Sequence, residues 1–178
     1  MLDEKRIEEA EKNVRKYLEE GLLKKESFQK SIYSILHRNA QDSLEIANFL
    51  LENKKSDLWI IVTSYYAMYY IANTVLYAFG YKIGEKISHK VTADALIVFI
   101  RNKLKKSLLE DYETAQKEAL AGIKTDLLLE TFDLERRKRS IVQYEMKESE
   151  LHGKAKTSIE RAKEFMLEME KLLLIKQF

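Results

Sequence analysis

The chain has 178 residues, a length for one domain with an appended arm, and enough to bury a core without covalent staples. It contains no Cys, which excludes a disulfide framework and thiolate metal sites. The net charge of +2 points to no partner, so any anion binding has to come from a local patch.

With no Pro, only 5 Gly and 34% charged residues, the chain has few helix breakers and many helix formers. The expected fold is all-α, an antiparallel up-and-down helical bundle. The absence of Cys suits a reducing compartment, and the start "MLDEKRIEEAEK" is charged from its third residue. No secretory leader is therefore expected, and the expected location is cytoplasmic.

In chain order, residues 3–20 predict a charged helix with a thin apolar stripe, Ile7, Val14 and Leu18, stopped or bent at Gly21. Residues 1–26 read as an N-terminal helical arm and residues 27–178 as the bundle. A second helix is expected over 27–53, where Ile32, Leu36, Ala40, Leu44, Ala47 and Leu51 recur at helical spacing. Ser56 is an N-cap for the next helix, and Gly80 ends it.

That third helix contains "LWIIVTSYYAMYYIANTVLYAF", Leu58 to Phe79, with no charge. Its length would span a bilayer, but Tyr65, Tyr66, Tyr69 and Tyr70 sit at its middle, where phenols lack partners in lipid. The expectation is a central helix of the bundle, covered on nearly all sides, and no membrane association. A fourth helix starts near Ser88 and buries Val91, Ala95, Val98 and Phe99. Ser107 and Glu110 form a capping-box pattern opening a short inserted helix that closes at Ala121-Gly122. Thr125 is expected to cap the following helix, with a break near Ser149. Ala155, Ile159, Ala162, Met166, Met169 and Leu173 draw the apolar seam of the last helix. No strand alternation is visible.

Metal chemistry finds no motif. A di-iron bundle needs Glu-x-x-His, yet Ser34, Lys86 and Ser149 stand three residues before His37, His89 and His152. There is no glycine-rich phosphate loop, so no cofactor is expected. The tyrosine pairs Tyr65/Tyr69 and Tyr66/Tyr70 fit core packing, or stacking platforms for a base if they are exposed.

The stretch "ERRKRSIVQYEM", Glu135 to Met146, places four cations beside an apolar run. On a helix, Glu135 and Arg139 share a stripe with Leu128, Phe132, Val142 and Met146, whereas Arg137 points away. An Arg in an apolar stripe is paired, or it faces a cleft or interface. Glu135 and Gln143 lie four residues to either side of it. Arg136, Lys138 and Arg139 form the candidate anion-binding set.

Two segments resemble the HEPN family, whose name abbreviates higher eukaryotes and prokaryotes nucleotide-binding. One is "SYYAMYYIANTVLYAFGYKIGEKISHKVTADAL", Ser64 to Leu96, which is similar to that family's YYA helix, its glycine-ended loop and the His opening the next helix, here His89. The other is "RSIVQY", Arg139 to Tyr144, which resembles the family's Arg, four residues, Tyr variant. The resemblance covers residues 27–176. It implies a homodimer with two such motifs meeting across it, and a nucleotide or RNA site made by Arg136, Lys138, Arg139, Gln143 and Tyr144. Glu135, Tyr65, Tyr66 and His89 would support that site. Many members are metal-independent ribonucleases using Arg, four to six residues, then His. Here the windowed positions are Tyr144, Glu145 and Met146, and Gln143 replaces the acidic residue that usually precedes the Tyr. An unperturbed phenol near pKa 10 is a poor base at neutral pH.

Three functions remain open. The chain is a non-catalytic or weakly active binder of RNA or a nucleotide, paired with a minimal nucleotidyltransferase in a toxin–antitoxin type system as relatives often are. Alternatively it is a dimeric helical scaffold with no nucleic-acid ligand. A third reading is a ribonuclease using Arg139 and Tyr144.

Overall fold

A computed structural model describes residues 2–131 and 141–176, with side chains described outside 124–149. Its elements are α1 (Glu4–Glu19), β1 (Leu23–Lys25), α2 (Lys30–Glu52), α3 (Asp57–Ala78), β2 (Tyr81–Ile83), α4 (Ser88–Phe99), α5 (Lys106–Thr131) and α6 (Ile141–Ile175). The all-α bundle expected from composition is the architecture found. Among the described residues, no helix is long and apolar enough to cross a membrane.

α3 is the hub. Free of charge after Asp57, it buries residues around most of its circumference, from Ile60 and Ile61 to Leu76 and Tyr77. Ser56 caps it as expected, its hydroxyl accepting from the Trp59 N–H at 3.5 Å. Gly80 follows the helix at φ +89, a left-handed conformation that side chains other than glycine's resist.

The helix directions follow from named contacts. His152 meets Asp57 at the start of α3, and Lys176 donates to the Ala78 carbonyl at its end, so α6 runs parallel to α3. α5 runs the other way, with Tyr112 against Tyr65 and Gly122 against Leu58. The expected α6 seam is realised: Ala155, Ile159, Ala162, Met166, Met169 and Leu173 are all buried.

Four expectations need correcting. The charged N-terminal helix, expected to stay outside the core, buries Ala10, Val14 and Tyr17. Its packed face is rotated from the expected stripe, because Arg6, Asn13 and Tyr17 all reach the buried carboxylate of Asp94 on α4. Hydrophobic periodicity cannot register a face held by polar partners. Second, a two-stranded sheet exists, pairing Leu23 with Ile83 and Lys25 with Tyr81. Strands this short show no alternation. Third, α5 does not close at Gly122 and Thr125 lies inside it. A helical Gly costs about 1 kcal/mol against Ala, but here its missing side chain lets α5 approach Leu58 closely. Fourth, α6 runs unbroken through Ser149 and Gly153.

Candidate functional site

The half-exposed surface richest in chemistry is a strip of α3 beside the start of α4. Trp59, Thr63, Tyr66 and Tyr70 recur at steps of four, three and four residues, so they share one helix face. Trp59 is 51% exposed, and Tyr66, Tyr69 and Tyr70 are half-buried, whereas Tyr65 is 1% exposed. The ring centroids of Tyr66 and Tyr70 are 5.9 Å apart, and those of Tyr69 and Tyr70 are 5.3 Å apart.

His89 closes the upper end of this strip. Its ring lies 4.5 Å from Tyr69, 5.5 Å from Tyr65 and 5.8 Å from Tyr66, centroid to centroid. Tyr65 Oη and His89 Nδ1 are 2.7 Å apart. Burial raises the Tyr65 phenol well above its ordinary value and lowers the His89 imidazole. At neutral pH the phenol is therefore protonated and the imidazole neutral, and the two share one hydrogen bond through Nδ1. With Nδ1 engaged, Nε2 is the imidazole nitrogen left to face a ligand.

Ile87, immediately before α4, adopts φ +45, a costly conformation for a β-branched residue. No side chain caps α4 there. The remaining histidines are structural ties. His37 Nε2 meets Glu170 Oε1 at 2.7 Å, joining α2 to α6, and His152 Nδ1 meets Asp57 Oδ1 at 2.9 Å. No described group of three His, Cys, Asp or Glu side chains could hold a metal ion.

The expected site residues divide into two sets. Tyr65, Tyr66 and His89 come together as described. Glu135, Arg136, Lys138 and Arg139 lie outside the described residues, and so do the side chains of Gln143 and Tyr144. Backbone positions alone show a separation. Tyr144 precedes His152 on α6 by about two turns, hence roughly 12 Å beyond the start of α3. Tyr65 lies about two turns inside α3, in the opposite direction. Trp59 was not anticipated. Its spacing to Tyr66 and Tyr70 was the available signal, but the exposure that makes it meaningful is tertiary.

Comparison with known protein families, curated proteins and solved structures finds no match to this chain, so the HEPN resemblance stands on its two sequence segments.

Proposed function

We propose that the chain binds single-stranded RNA along the aromatic strip of α3, without rapid cleavage. The observation supporting this most is the 51% exposure of Trp59 on the same helix face as the partly buried Tyr66 and Tyr70, with Tyr69 beside them at His89. Accessible ring surface along a helix gives successive bases π-faces, each worth about 1–3 kcal/mol. The cations Arg136, Lys138 and Arg139, with Gln143 and Tyr144, would serve the phosphates. A strand of several nucleotides supplies bases for the rings and phosphates for the cations together, which a mononucleotide does not. The proposal excludes fast hydrolysis because the Arg139 motif lacks its His, and a positioned base contributes about 10²–10⁴-fold. The family resemblance extends the proposal to a protein partner, a minimal nucleotidyltransferase, with a second copy of this chain completing the assembly. A neighbouring reading frame whose nucleotidyltransferase product co-purifies with this chain supports that extension.

Trp59 is the sole tryptophan, so its fluorescence reports on the strip directly. Single-stranded RNA is expected to quench it in a saturable, salt-sensitive way, and a mononucleotide at equal phosphate concentration to quench it less. Unchanged fluorescence together with unchanged anisotropy of labelled RNA at low salt sinks the reading.

A further inference from the structure

α2 is apolar on two opposite sides. Its inner side buries Ala40 and Ala47, both at 0% exposure, against the bundle. Its outer side carries Ile35, Ile46 and Phe49, which are 51%, 49% and 59% exposed. At 100° per residue these three fall within a sector of about 60°, together with Asp42, and Arg38 borders it. A surface helix of a monomer normally has one apolar stripe, with charge opposite. Here the opposite face holds three large hydrophobes.

The order along that face is Ile35, Arg38, Asp42, Ile46. It is self-complementary in one orientation. An antiparallel second copy, with its two-fold axis passing between residues 40 and 41, sets Ile35 against Ile46 twice. It also brings Arg38 of each copy beside Asp42 of the other. A parallel copy instead puts Arg38 on Arg38 and Asp42 on Asp42. Arg38 and Asp42 are both exposed, and neither forms an ion pair with another described residue. We infer that the outer face of α2 pairs with the same face of a second copy, antiparallel, about this axis. The 23-residue helix is about 35 Å long. The two Ile35–Ile46 contacts are small, so the flanking turns must supply much of the roughly 800 Å² per partner that a stable dimer covers, which makes the dimer a weak one. This pairing does not rest on RNA binding, and it uses a different helix from the Arg139 segment expected at the axis.

The chain has no cysteine, so crosslinking can map the axis cleanly. Under mild oxidation, a mixture of Ile35→Cys and Ile46→Cys chains is expected to form the mixed disulfide dimer, while Ile35→Cys alone does not crosslink. Sedimentation of the unmodified chain is expected to show a dimer of the 21.0 kDa protomer at about 50 μM, dissociating on dilution. Arg38→Asp is expected to weaken it, and Asp42→Arg in the same chain to restore it. Circular dichroism checks that each variant folds. A monomer at about 100 μM, a dimer that forms no mixed disulfide, or a charge swap without rescue overturns the proposal.

Discussion

The Tyr65 hydroxyl and Nδ1 of His89 are hydrogen-bonded at 2.7 Å, joining the middle of α3 to the first turn of α4. The bond occupies Nδ1 and leaves Nε2 as the free imidazole nitrogen. It also ties the imidazole's charge state to the stability of the fold.

Burial holds the His89 pKa below the ordinary value near 6.5. The unfolded chain therefore takes up this proton more readily than the folded one. The contribution to stability is complete above about pH 6.5 and is lost as pH falls toward the lower folded pKa. Urea unfolding at pH 7.5 and pH 5 is expected to show a larger loss for the unsubstituted chain than for His89→Asn. Equal losses in the two would mean that this imidazole titrates as freely in the folded chain as in the unfolded one.

α1 is pinned by a carboxylate with no solvent exposure. Asp94 accepts from Arg6 Nη2 at 2.7 Å, Tyr17 Oη at 2.9 Å and Asn13 Nδ2 at 3.0 Å. Arg6 Nε also donates to Glu113 at 2.8 Å. Breaking a buried pair of this kind costs about 3–5 kcal/mol, and the lower end is expected because Arg6 keeps partial exposure. Arg6→Ala should lower stability by about 3 kcal/mol in chemical denaturation. A loss under about 1 kcal/mol would mark the pair as a wet surface contact.

Gly153 lies inside α6, and a Cβ built on it meets nothing within 4 Å. The residue carries the entropic cost of glycine with no packing in return. Gly153→Ala should stabilise the chain by about 0.5–1 kcal/mol. A lower melting temperature in the variant would count against an open position.

RNA affinity should fall steeply with salt. About four phosphate contacts on a single strand give a log–log slope near −3, at about −0.7 per contact. Arg139→Ala is expected to cost more than Arg136→Ala, and Arg137→Ala least, in titrations of labelled single-stranded RNA. Trp59→Ala should remove about 1–3 kcal/mol of binding with the salt slope unchanged, since stacking releases no counterions. A changed slope would assign Trp59 an indirect role.

The sequence by itself determined the features that depend on residues three or four apart. The charge-free run made α3 the central helix, Ser56 capped it, and the seam from Ala155 to Leu173 marked the buried side of α6. Tyr65, Tyr66 and His89 were legible as a group through their resemblance to a family pattern. The cations from Arg136 to Arg139 were legible as a local run of charge, although they fall outside the described residues. Only the tertiary structure decided that the charged first helix belongs to the core, because Asp94 lies far from Arg6, Asn13 and Tyr17 in the chain. It also decided that Tyr65 is buried while Trp59 and Tyr66 stay accessible, and that α2 keeps Ile35, Ile46 and Phe49 uncovered. Periodicity states that a side chain is apolar. Whether that side chain meets another helix, a base or a second copy depends on which elements the fold places over it.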